Sequence, residues 1–198
     1  MNKSDASEHD HIEDDEVNSK YIPPKNIPIS ELWNKDQDDQ SLTKYKQQLI
    51  GGAINVIIEP SIESKLILKR LVLVPEDHHE LIFDLKGNLE KIKDQVVGLK
   101  EGAIYRIKLE FYVQRDIVSG LKLVQSAYKG PIRTDKSTYM MGSRAPKAEL
   151  QEYISEKEVA PSGMMARGKY HMKSSIVDDD KNVYAKWEWT LEISKEWK

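Results

Sequence analysis

The sequence predicts a mainly β protein: an immunoglobulin-like antiparallel β-sandwich preceded by a flexible N-terminal arm with two short helices. Three observations carry this. Residues 183–193 read Val, Ala, Trp, Trp, Leu, Ile at odd positions and Tyr, Lys, Glu, Thr, Glu at even ones. That is the period of two expected of a strand with one buried and one wet face. Similar stretches recur at short spacing from about residue 53, divided by turn residues and with no helical stretch between them. Ahead of them the chain is polar, with a proline pair, acidic clusters and one narrow apolar stripe at helical spacing.

Composition bounds the function. The chain has 198 residues, 39 % hydrophobic and 32 % charged, so part of it stays out of any core. A formal net charge of −3 sets it against general nucleic-acid binding. It has no cysteine, hence no disulfide, thiol nucleophile or Cys-ligated metal, which fits a cytosolic protein. No apolar run reaches the roughly 18 residues that a membrane span needs. Met1-Asn2-Lys3-Ser4 opens no signal peptide and offers no glycine for myristoylation, and no prenylation cysteine ends the chain. A lipid of its own is not expected.

Residues 1–20, centred on Glu13-Asp14-Asp15-Glu16, have no apolar period and read as a disordered acidic tail. His9 and His11 there lack a frame that would fix a metal. Residues 21–52 read as a helical arm. Tyr21-Ile22-Pro23-Pro24 is a stiff connector. Ser30 caps a helical turn through Glu31-Leu32-Trp33-Asn34-Lys35. Asp38 or Asp39 caps a second helix with Leu42, Tyr45 and Leu49 on one stripe, stopped by Gly51-Gly52. Ser41 and Gln47 stand where a calcium loop from Asp36 would need Gly and Glu, so no EF-hand is expected.

The sandwich, 53–198, follows. A first strand is expected over Ala53–Glu59 and a central one over 66–74, broken only by Lys69 and Arg70. Leu81, Phe83 and Leu85 alternate; Gly87-Asn88 and Gly98 mark turns or bulges. Ala103, Tyr105, Ile107, Leu109, Phe111 and Val113 share one face of a long strand. A tight connection at Arg115-Asp116 leads to a strand over 117–129. Strand signals are weaker from Tyr139 to Tyr153, around Pro146. Tyr170, Met172, Ser174 and Ile176 alternate before the turn Asp178-Asp179-Asp180-Lys181-Asn182. No phosphate loop, dinucleotide fingerprint, HExxH or GxSxG occurs. His78-His79 reads as a surface turn and the triple Asp as a solvated hairpin, not a metal clip. Catalysis has no foothold, and a binding or carrier function is expected. On pattern alone, Trp187 and Trp189 are core residues, or one of them walls a cavity for an apolar ligand.

Several segments, in order, resemble the Rho guanine-nucleotide dissociation inhibitor (RhoGDI) family. They are Asp38-Asp39-Gln40-Ser41-Leu42-Thr43-Lys44-Tyr45-Lys46, Leu99-Lys100-Glu101-Gly102, Tyr105-Arg106-Ile107-Lys108, Ile117-Val118-Ser119-Gly120 and Tyr139-Met140-Met141-Gly142-Ser143. Further on come Ala160-Pro161-Ser162-Gly163-Met164-Met165-Ala166-Arg167-Gly168, Asp178-Asp179-Asp180-Lys181, and the run from Trp187-Glu188-Trp189 to Trp197-Lys198. The resemblance runs from about Tyr21 to the C-terminus. It implies a non-enzymatic regulator with no cofactor, bound one to one to a geranylgeranylated Rho- or Rac-type GTPase. The arm would hold the switch regions, with Asp38, Asp39, Ser41, Tyr45 and Asp180 as contacts. The sandwich would shelter the prenyl group among Leu71, Val97, Tyr105, Ile117, Tyr139, Met172 and Trp189. Asp135 and Glu158 would face the GTPase's basic tail. Transient contact with membranes and a cytosolic location are implied.

Four positions depart from the family pattern. Val97 replaces a larger aromatic, Arg144 a tyrosine, Val159 an acid, and Lys169 a small polar residue. Two rival readings stand beside the resemblance. One is a general prenyl or acyl carrier that needs no arm; the other is an immunoglobulin-like module with a filled core.

Overall fold

The structure, a computed structural model, describes Glu31 and residues 56–197. Glu31 is helical and exposed, in the turn expected after Ser30. The rest of the predicted arm, with Asp38, Asp39, Ser41 and Tyr45, lies outside the described residues, as does the acidic tail.

Among the described residues, ten strands form two sheets: β1 (Leu66–Pro75), β2 (Leu81–Asp84), β3 (Val96–Lys100), β4 (Ile104–Val113), β5 (Val118–Lys129), β6 (Ile132–Arg144), β7 (Gln151–Ile154), β8 (Glu158–Val159), β9 (Gly168–Val177) and β10 (Val183–Ser194). The first sheet runs β2-β1-β4-β7, with β8 joining β4 beyond β7; the second runs β3-β10-β9-β5-β6. The two pack face to face as a sandwich, each burying alternate residues. In β9 every second residue from Tyr170 to Ile176 is buried, as the period of two requires.

The run at 66–74 is central, between β2 and β4. A bulge between Leu68 and Arg70 lets Lys69 and Arg70 interrupt the apolar run without entering the core. Lys69 Nζ lies 5.1 Å from the Tyr112 ring centre, and Arg70 pairs with Glu110 at 2.7 Å. Arg115 makes the tight β4–β5 connection in the left-handed region at φ 67°, and Asp116 pairs with Lys65 at 2.9 Å.

Four local expectations change. Residues 56–59 are not a strand. Two of their backbone N–H groups go to a side chain: Gln114 Oε1 accepts from the Ile58 and Glu59 N–H groups, each at 3.0 Å. The Gln114 amide nitrogen donates to the Ile62 and Ser64 carbonyls at 2.7 and 2.9 Å. Gly98 is inside β3, not in a turn, because Val96–Lys100 pairs with Thr190–Ser194. That pairing is parallel, so the sandwich is not wholly antiparallel. Finally, β6 is a full strand of 13 residues. Exposure on both faces over much of its length blurs its alternation. Gly87, at φ 79°, does make the expected turn, and Asn88 caps a short 3-10 turn at Leu89–Ile92.

Candidate functional site

The inner face of the second sheet carries most of the predicted pocket. Strand register sets three cross-strand rows: Ala185, Ile176, Leu123, Tyr139; then Trp187, Ser174, Gln125, Ser137; then Trp189, Met172, Ala127, Asp135. Opposite them, the first sheet presents Phe83, Leu71 and Leu109 in one row and Pro75, Tyr105 and Glu158 in another.

Trp189 sits at the centre, 2 % exposed. Its ring meets Phe83 edge-on, with centroids 4.7 Å apart and planes at 62°, a favourable quadrupole arrangement. Phe83 is the register neighbour of Leu71, which is fully buried. Leu71, Met172 and Trp189 thus belong to one core cluster, with Val97, Tyr105 and Tyr139 packed against it. Ile117 stands outside that cluster, half-buried just ahead of β5. Val97 and Tyr139 are on opposite edges of the sheet, four strand spacings apart across it and six residues apart along it, about 28 Å in all.

The two tryptophans differ in a way alternation does not reveal. Trp189 Nε1 donates to Ser174 Oγ at 3.0 Å, and Gln125 Nε2 donates to the same oxygen at 3.2 Å. Trp187 Nε1 is buried with no hydrogen-bond partner among the described residues. Sequence reasoning missed the polar middle row, since Ser174 and Gln125 look like ordinary alternation partners until register puts them side by side.

At the β6 margin the two sheets are joined by polar groups. Tyr105, on β4, donates its hydroxyl to Glu158 Oε2 at 2.9 Å. The same carboxylate acts on Tyr139, on β6 of the other sheet. Burial, then the Glu158 charge and its hydrogen bond, push both phenols well above the ordinary tyrosine range. Asp135 adds a smaller push of the same sign and accepts from Ser137 Oγ at 2.7 Å. The structure therefore gathers Tyr105, Tyr139, Asp135 and Glu158, two expected pocket residues and two expected tail contacts, into one margin.

Of the departures, Arg144 reaches over Phe111, 5.8 Å from the ring centre, and donates from Nε to the Met141 carbonyl at 3.1 Å. Val159 is exposed beside Glu158, and Lys169 is exposed opposite Glu192. Neither is part of the core.

The triple Asp divides its labour. Asp178, buried, accepts from the Asn182 backbone and side-chain amides at 2.8 Å each and from the Tyr184 hydroxyl at 2.7 Å. It organises the hairpin. Asp179 packs on Gly120, where an added Cβ would lie 1.8 Å from its Oδ2 and φ is +59°. Asp180 is half-buried in the same turn. His78 stacks on Trp197 at 4.2 Å. Among the described residues, no cluster of three or more His, Asp or Glu is placed to share a metal, and no helix is long and apolar enough to cross a membrane.

A family profile described as RHO protein GDP dissociation inhibitor matches residues 6–196. The chain is 43 % identical to Rho GDP-dissociation inhibitor 1 of Rattus norvegicus and 42 % identical to that of Homo sapiens. Each match covers 94 % of this chain and 91 % of the relative. It is 41 % identical to a probable rho GDP-dissociation inhibitor of Caenorhabditis elegans, over 96 % of this chain and all of that one. With nearly the whole length matched on both sides, the chain belongs to the Rho GDP-dissociation inhibitor family, whose members are regulators and not enzymes.

Proposed function

We propose that this chain binds a geranylgeranylated Rho-family GTPase one to one, slows its GDP release through the arm at 21–52, and extracts it from membranes into the cytosol by sheltering the prenyl group between the sheets. The observation that carries the lipid site is the inner face itself. An apolar centre of Trp189, Phe83, Leu71 and Met172 adjoins a margin where Tyr105 and Tyr139 share Glu158. The centre is packed, so a lipid reaching Trp189 displaces side chains. Met172, unbranched and adaptable, suits that role. At the margin the lipid has only hydrogen bonds to part, and these exchange with water at small net cost.

Burying a prenyl chain gains about 0.8 kcal/mol per CH₂ over water, on the order of 10 kcal/mol in all. The bilayer offers a similar environment, so transfer is close to balanced in this term. The remaining contacts set its direction. Each GTPase Lys or Arg near anionic lipid favours the membrane by about 1 kcal/mol. Asp135 and Glu158 offer those cations another partner. The arm, with Asp38, Asp39, Ser41 and Tyr45 assigned to the switches alongside Asp180, adds affinity by tethering.

The test uses full-length protein and vesicles carrying a prenylated Rac-type GTPase loaded with labelled GDP. The GTPase should become soluble in a one-to-one complex, with GDP release slowed. Asp39→Ala should weaken the slowing while leaving affinity for a geranylgeranylated peptide unchanged. Equal GDP release with and without the wild-type protein would remove the inhibitory role. Tight binding of many unrelated lipidated peptides, with no gain from the GTPase itself, would favour a general carrier.

A further inference from the structure

The loop from Ala160 to Arg167 holds two adjacent methionines out in water, Met164 at 83 % exposure and Met165 at 90 %. A mobile loop could fold such side chains back, but this backbone is pinned. Glu101 accepts from the Gly163 N–H at 2.9 Å and from Arg167 Nε and Nη2 at 3.0 and 2.7 Å. Lys129 Nζ donates to the Met165 and Arg167 carbonyls at 2.6 and 2.9 Å, and the Tyr170 hydroxyl to the Ala166 carbonyl at 2.7 Å. Lys129 also stitches this loop to the β5–β6 turn, where its register partner Ile132 is 67 % exposed. The two segments, 129–133 and 162–169, contain four basic residues and no acidic one, in a chain of net charge −3; Glu101, reaching in from outside them, offsets Arg167 and leaves Lys129, Arg133 and Lys169 in excess.

We propose that this tip is a membrane-docking surface: Met164, Met165 and Ile132 insert at the headgroup–acyl boundary of an anionic bilayer, flanked by Lys129, Arg133, Arg167 and Lys169. Apolar side chains ringed by cations are the chemistry that binds such a boundary. The placement deepens the function proposed above and rests on it. Glu158 at the pocket margin is six residues from Met164, at most about 22 Å along the chain. A prenyl group leaving the bilayer under a docked tip therefore crosses little water before reaching Tyr105 and Tyr139.

Because the chain has no cysteine, Met165→Cys carries a single environment-sensitive label, and Lys86→Cys in the turn after β2 is the control. The vesicles are phosphatidylcholine with phosphatidylserine, in excess, with nitroxide-bearing acyl chains for quenching. The label at 165 should brighten and be quenched, and the label at 86 should not. No response at 165, or an equal response at both positions, overturns the proposal. The double variant Met164→Ser, Met165→Ser should slow removal of prenylated GTPase from these vesicles by about five-fold, as expected for losing part of an interfacial apolar contact. Its affinity for the same GTPase in solution should be unchanged. A parallel fall in solution affinity would assign the methionines to the GTPase instead. Failure of the wild type to extract would sink the extraction function, while the label would still decide the membrane contact.

Discussion

At the centre of the inner face, Trp189 meets Phe83 edge-on and gives its N–H to Ser174. At the margin, Tyr105 gives its hydroxyl to the Glu158 carboxylate, whose charge also acts on Tyr139. Both regions join the two sheets, by different physics. The centre is held by apolar area, which is lost in full when the sheets part. The margin is held by hydrogen bonds, which water can replace. The first resists opening and the second permits it. A binding site between sheets needs both, one to keep the fold and one to admit the ligand.

The largest test of this contrast is Trp189→Ala, which should lower unfolding stability by about 3–5 kcal/mol, read as a shifted denaturation midpoint. A loss under ~1 kcal/mol would show that the centre is already loose. Next comes Gln114→Leu, just after β4, whose side chain holds residues 58–64. It strips partners from two N–H and two carbonyl groups and should cost about 2–3 kcal/mol. Proteolysis should then cut first within residues 56–64. Cleavage elsewhere would show that Gln114 does not hold this stretch. At the margin, Tyr139→Phe should change stability by no more than ~1 kcal/mol. It should nevertheless speed uptake of a geranylgeranylated peptide in stopped flow. Unchanged uptake would mean the lipid does not pass this edge.

The smallest effect is the response to alkali. The phenols of Tyr105 and Tyr139 hold their protons more tightly folded than unfolded. Their contribution is therefore present below the unfolded value of about 10 and is lost as pH rises past it. Stability should fall above pH ~10, and less steeply in Tyr105→Phe. Identical slopes would show that Tyr105 is not linked to folding.

How much of this could be read from the residues follows from the kind of interaction. β9 and β10 each bury one face, so their alternation was plain. β6 is exposed on both faces over much of its length, so its signal was weak. β3 and β8 are short and exist through their partners. Gly98 looked like a turn because glycine in isolation says so; the β10 ladder overrides it. Gln114 was invisible because its four bonds are tertiary. The choice between the two indoles also needed register: Trp189 finds Ser174, and Trp187 finds no partner. Asp135 and Glu158 came from the family resemblance alone, and nothing local announced that Glu158 acts on both tyrosines.

The position of β10 has a consequence for how the molecule comes into being. The C-terminal strand lies between β3 and β9, pairing with one in parallel and the other antiparallel. Until it arrives, β3 has no place in its sheet, and the inner face lacks both tryptophans. The sandwich therefore cannot be completed until Ser194 has been made, because it closes through contacts spanning some ninety positions, from Thr190–Ser194 back to Val96–Lys100. A chain stopped before 183 would expose the β9 edge, an open template for pairing with other chains.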